Sequence, residues 1–116
     1  MQEKSLDIEK IENAAGGSIL RLHGPLLLGN FFGFQSQVRA DAADLLIVDL
    51  SDVPYIDSAG IGCLVGAQVS RDHSKRKLVL VGVSDRLLGS LKVTRVHELF
   101  TYAASVEEAQ SSSAAE

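Results

Sequence analysis

The chain has 116 residues, 46% of them apolar but only 5% aromatic, with a formal net charge of −4. That length suits one domain whose core is built from Leu, Ile, Val and Ala, with no need of disulfides or metals. The mild acidity excludes a basic surface for nucleic acid, the single cysteine, Cys63, excludes an internal disulfide, and no apolar run approaches the ~20 residues that span a bilayer.

Charges occupy Met1 to Asp7 where a signal peptide would need its apolar stretch. The expectation is a cytoplasmic protein in a reducing compartment, without a membrane anchor. Leu6, Ile8 and Ile11 sit among charges in a loose strand pattern. Asn13 to Gly17 is a turn signal. Ser18 to His23 follows as a second strand, with Leu20 and Leu22 on one face, and the two pair as a hairpin that Gly24-Pro25 ends. From Gly29 to about Asp44 the period becomes helical, with Phe31, Phe34, Val38 and Ala42 on one stripe. Phe32 falls off that stripe, and with Leu26-Leu27-Leu28 it is a minor candidate for an exposed apolar patch.

Leu45 to Leu50 is nearly continuous apolar sequence, the mark of a strand covered on both faces. A loop from Ser51 to Asp57 contains Pro54, and a helix runs from Ser58 to about His73. Lys75-Arg76-Lys77 is a polar turn where positive charge suits the helix dipole. Leu78 to Val81 is a second buried strand. Ser84 caps a short helix carrying Leu87, Leu88 and Leu91. Val96, Leu99, Phe100 and Tyr102 mark a last extended segment. Ser105 and Glu108 have capping-box spacing for a terminal helix, and residues 111–116 form a fraying tail. The order is strand, strand, helix, then strand and helix three times over. It implies an α/β domain with a mixed, mostly parallel sheet of four to five strands and about four helices packed against it.

The chemistry concentrates at the start of the Ser58 helix. The first amides of a helix have no internal partner, and a Ser hydroxyl at the cap satisfies one of them. A phosphate there would meet the same donors and the positive end of the dipole. Along this helix Ala59, Gly62, Cys63, Gly66 and Ser70 form a small-residue face, and Ile61, Leu64, Val65 and Val69 a bulky one. The bulky stripe is assigned to the core and the small face to close packing against the domain's own sheet or a partner. No catalytic constellation accompanies Asp57, which is expected to shape the loop or accept backbone hydrogen bonds. Gly-x-Ser-x-Gly is absent because position 56 is Ile. The glycines from Gly60 to Gly66 miss a dinucleotide fingerprint by one residue. His23, His73, His97 and Cys63 lack metal-ligand spacing.

Tyr55-Ile56-Asp57-Ser58-Ala59-Gly60-Ile61-Gly62 resembles the Asp-Ser-(Ser/Ala)-Gly signature of STAS domains, of the anti-sigma factor antagonist (anti-anti-sigma factor) type. Leu22-His23-Gly24, Leu46 to Leu50, Leu80 to Val83 and Ser105 to Ala109 extend the resemblance, so residues 1–116 read as a single STAS domain. The resemblance implies a non-enzymatic, partner-switching regulator of transcription without cofactor or metal. It binds an anti-sigma factor that is also an ATP-dependent serine kinase. Phosphorylation of the signature serine, here Ser58, breaks the complex, and a serine phosphatase restores it. The implied partner-binding residues are Asp57, Ser58, Ala59, Gly60, Ile61 and Gly62, with no role for nucleic acid or membrane. The alternative is a constitutive STAS adaptor of a lipid-transport or stress-signalling assembly, with Ser58 a passive helix cap. The chain departs from the family in two places. Leu27 stands where an acidic residue is usual. Arg95 stands where Gly often follows Thr94, so a different turn is expected there.

Overall fold

The computed structural model describes residues 5–12 and 17–114. Most of the Asn13–Gly17 turn signal and the last two residues of the expected tail lie outside them. The elements are β1 (Asp7–Glu12), β2 (Gly17–His23), α1 (Phe32–Ala40), β3 (Leu45–Asp52), α2 (Ser58–His73), β4 (Lys77–Val81), α3 (Asp85–Val93), a 3-10 turn (His97–Leu99), β5 (Thr101–Ala103) and α4 (Val106–Ala114). The element order is the one read from the periodicity. α1 is shorter than the stripe suggested: it ends at Ala40, and Ala42 is exposed beyond it. α4 carries helical backbone into the segment read as a tail.

The five strands follow sequence order across one sheet. β1 and β2 pair antiparallel, with Ile8 opposite Leu22 and Ile11 opposite Ile19. β2, β3, β4 and β5 run parallel. Parallel strands that advance steadily in one direction, joined by crossovers of one hand, put every crossover helix on the same face. The core follows that rule. Phe34 and Val38 of α1, Ile61 and Leu64 of α2, and Leu87 and Leu91 of α3 pack on Leu20, Leu22, Leu46, Val48, Leu78 and Leu80. The opposite face is left to α4, where Ala109 packs on Ile19, Ile47, Val79 and Val81. Strand alternation thus explains the loose pattern of β1: Leu6 and Ile8 join the first core and Ile11 the second.

Two anchors position α2. At its C-terminal end the buried guanidinium of Arg71 donates to the carbonyls of Ala43 and Lys77, each at 2.8 Å, and of Asp41 at 3.2 Å. These three carbonyls flank the starts of β3 and β4, so one side chain ties the helix to both strands. At its N-terminal end Gly60 lies against the chain leaving β2, where a Cβ would collide with the carbonyl of Leu26.

The turn after α3 corrects the expectation drawn from Arg95. Arg95 adopts the left-handed conformation itself, with φ 62°, as Lys75 does after α2 with φ 60°. Both follow helix ends whose last carbonyls are met by the amides of the turn: Arg76 donates to Arg71, and Val96 to Leu91. A left-handed non-glycine costs on the order of 1 kcal/mol, which those backbone bonds offset.

Candidate functional site

β3 ends at Asp52, and Val53 to Asp57 cross the top of the sheet before α2 begins. The segment leaving β2 holds this loop in place. Gly24 turns at φ 118°, where only glycine is unstrained, and its amide donates to the carbonyl of Asp52 at 3.1 Å. Leu26 donates to Tyr55 and accepts from Asp57, both at 3.3 Å. Leu26 is fully buried in making these contacts. The triple-leucine stretch is therefore not one patch: Leu26 is core, Leu27 half-buried and only Leu28 exposed. The Leu27 amide donates to the Asn30 side chain at 2.8 Å, so this segment is ordered without the family's acidic residue.

Asp57 is the hinge of the site. One carboxylate oxygen accepts from the Gly60 amide at 2.8 Å and the other from the Leu28 amide at 3.0 Å. Its backbone is extended, φ −95° and ψ −179°, and it is the N-cap of α2. This corrects the assignment of the cap to Ser58. An N-cap needs a non-helical backbone and an acceptor that reaches the third helical amide. Asp57 supplies both, while Ser58 is already the first helical residue. The Ser58 hydroxyl is left out of the cap, and its side chain is exposed.

The predicted partner residues separate by accessibility. Ser58 and Gly62 are exposed, Asp57 and Ala59 half-buried, and Gly60 and Ile61 buried. Gly60 is required by its fit against Leu26. The two faces of α2 are also redrawn. Ile61 and Leu64 are core as expected, but Cys63, assigned to the small face, is buried with them and Val69, assigned to the core, is exposed. A Cβ built on Gly62 or Gly66 meets no atom within 4 Å. Gly62 and Gly66 therefore face away from the domain's own sheet, whereas Cys63 packs on it. Burial pushes the Cys63 thiol up, in keeping with a packing role.

An open groove of about 490 Å³ runs from Ser58 along the seam between α2 and α3. Ile61 and Val93 give it an apolar lining, and Arg86 and Ser90 of α3 border it. Val93 is 83% exposed. The Arg86 guanidinium lies 5.5 Å from the centre of the Tyr55 ring, just before Ser58 in the chain. Leu28, whose amide bonds Asp57, is 63% exposed, as is Phe32 at the start of α1, which leans on Phe31 at 4.4 Å between ring centres. Ser58 thus stands between the exposed apolar side chains of Val93, across the groove, and Leu28, whose amide is held by Asp57. Arg86 was not legible in the sequence, since a basic residue in the first turn of an amphipathic helix carries no signal of its own.

A second polar cluster lies on the other sheet face, beyond the reach of α4. Arg21 donates to Asp49 at 3.1 Å and lies 3.7 Å from Glu9. Burial alone would raise the Asp49 carboxyl, but bonds from the Ser51 hydroxyl and amide and from Arg21 outweigh it and the net shift is downward. His23 bridges Asp52 at 2.8 Å and Glu9 at 3.4 Å, and these two carboxylates raise its pKa. Among the described residues no group of three or more His, Cys, Asp or Glu could hold a metal ion, and no helix is long and apolar enough to cross a membrane.

The fold and site define a small α/β module that presents an exposed serine at the start of a helix beside an uncovered apolar groove. The STAS domain family profile matches residues 5–109, and the chain belongs to that family. Over 55 residues it is 40% identical to the anti-sigma-B factor antagonist of Listeria monocytogenes, a stretch covering 47% of this chain and 48% of that protein. The chain thus spans about half the length of the curated relatives it matches. Its backbone is similar to that of an anti-sigma factor antagonist from Mycobacterium paratuberculosis, with TM-score 0.78 and 15% identity over 92% of each chain. It is also similar to the Bacillus cell fate determinant SpoIIAA in its phosphorylated form, with TM-score 0.72 and 15% identity over 92% of this chain and 99% of that one. At these identities the structural likeness speaks for the fold.

Proposed function

We propose that this domain is an anti-sigma factor antagonist, a non-enzymatic cytoplasmic switch. It binds an anti-sigma factor that doubles as a serine kinase, and is released when Ser58 is phosphorylated. A serine phosphatase returns it to the binding form. In the phosphorylation step the Ser58 oxygen bonds to the γ-phosphorus of ATP, the bond to the β–γ bridging oxygen breaks, ADP leaves and the hydroxyl proton is lost.

The observation that carries this reading is the division of labour between Asp57 and Ser58. Because Asp57 caps the helix, the serine can be modified without removing a structural bond. The Bacillus neighbour exists in a phosphorylated form, which supports the capacity of the fold to carry such a group. The apolar surroundings supply the sign of the effect. A partner closing over the groove would desolvate Val93 and Ser58 together. A phosphoserine there brings about −1.5 to −2 charges, and enclosing that charge without full pairing costs several kcal/mol. About 4 kcal/mol corresponds to roughly a thousandfold in affinity.

The test is to incubate the domain with the anti-sigma kinase of its own organism and ATP, and to map the phosphate by mass spectrometry. Modification is expected at Ser58. In calorimetry Ser58→Ala should keep the partner and Ser58→Asp should bind at least ~10-fold more weakly, about 1.4 kcal/mol. Equal affinities for the two variants would remove the electrostatic argument.

A further inference from the structure

We propose that Arg86 is a built-in clamp for the modified serine: when Ser58 carries a phosphate, the guanidinium leaves the Tyr55 ring and pairs with that phosphate across the mouth of the α2–α3 groove. The proposal rests on the reading of Ser58 as the modified residue and adds the group that receives the phosphate.

Three observations carry it. Ser58 and Arg86 border the same groove from opposite helices, and the rest of its lining is mainly apolar or uncharged. The guanidinium already reaches towards the loop that precedes Ser58, held by the face of an aromatic ring. Among the described residues it makes no ion pair with a carboxylate. The nearest acid in sequence to Ser58 is turned away from it, one oxygen of Asp57 accepting from the Gly60 amide and the other from the Leu28 amide.

A ring face at an exposed site is a weak partner for a cation. A phosphate two bonds from the Ser58 Cβ offers the planar fork two charge-assisted hydrogen bonds. Exchange of one partner for the other is therefore downhill. The clamp supplies one positive charge against about −1.5 to −2, so the groove mouth changes from net positive to net negative. The clamped phosphate also fills the entrance of the groove. Phosphorylation then excludes a partner in two ways: it leaves residual charge, and it occupies the space beside Ile61 and Val93.

The experiment uses the whole chain with phosphoserine inserted at position 58 during translation, so that no kinase is required. The phosphorus resonance is titrated by NMR in the wild type and in Arg86→Gln, Arg86→Lys and Lys92→Gln. Lys92 is exposed on the same helix, so its loss matches the charge change without touching the groove. The second phosphate pKa in the wild type should lie roughly half a unit or more below that of Arg86→Gln. Arg86→Lys should recover part of the shift, and Lys92→Gln should leave it unchanged. Tyr55 ring resonances should move on phosphorylation in the wild type and stay in place in Arg86→Gln. Arg86 is exposed, so unphosphorylated Arg86→Gln should melt with the wild type. Coincident titrations of the wild type and Arg86→Gln would overturn the clamp, as would an equal shift in Lys92→Gln. The two ideas fail separately. A kinase that never modifies Ser58 removes the switch, whereas overlapping titrations remove only the clamp.

Discussion

Replacing Gly62 and Gly66 by alanine should stabilise the domain. Both are interior positions of α2, both are exposed, and a methyl group at either meets nothing within 4 Å. The substitution therefore adds no clash and buries no surface. What remains is backbone entropy: glycine costs about 1 kcal/mol relative to alanine inside a helix, largely because the unfolded chain is freer. The double variant should gain roughly 2 kcal/mol, which for a chain of this size raises the melting temperature by about 8 °C. Urea denaturation followed by helical circular dichroism measures it, with the midpoint rising and the slope unchanged. If the glycine face meets the proposed partner, the same variant should bind that partner more weakly, since two methyl groups would hold another backbone off. A loss of stability would refute the reasoning, because it would mean that the domain itself occupies that face. A gain in stability with undiminished binding would show that the glycines serve neither fold nor partner.

Other expectations follow from neighbouring residues. Gly60→Ala, only two positions away, should have the opposite sign: its methyl strikes the Leu26 carbonyl, and overpacking of about 1–3 kcal/mol exceeds the propensity gain. Equal midpoints for Gly60→Ala and Gly62→Ala in urea would contradict the packing described here. Arg71→Met should cost about 3–5 kcal/mol, because it removes the guanidinium that the carbonyls of Asp41, Ala43 and Lys77 share; a midpoint close to wild type would show that water replaces the guanidinium without loss. His23 is held above its ordinary 6.5 by Asp52 and Glu9. Its contribution to stability is thus complete below that value and fades as pH rises through the raised one. As pH rises from about 6.5 the wild type should lose more stability than His23→Gln, and parallel curves for the two would exclude the bridge.

Much of this architecture was legible because it is written in local patterns. The apolar runs Leu45–Leu50 and Leu78–Val81 announced strands covered on both faces, and the structure buries them between α1, α2 and α3 on one face and α4 on the other. Ser84 and Ser105 were readable as caps because each bonds an amide only three residues away, Leu87 and Glu108. The signature from Tyr55 to Gly62 located the site for the same reason, as one continuous stretch at a strand-to-helix turn.

What the pattern could not decide depended on residues distant in the chain. Asp57 and Ser58 are both good cap residues, and the choice between them falls to Asp57 because its second oxygen also meets Leu28, 29 residues away. Three glycines of one helix look alike in the sequence. Only the passage of Leu26 beneath α2 makes the first obligatory and leaves the other two facing outwards. Nothing in the local sequence marks Arg71, on which the starts of β3 and β4 converge with three carbonyls. Arg86 has no meaning before α3 is laid beside α2. Periodicity and capping are local properties of the backbone, so the sequence alone determines elements and their ends. Which side chain is enclosed, which is left open and which charge faces which serine are set by the packing of those elements on one another.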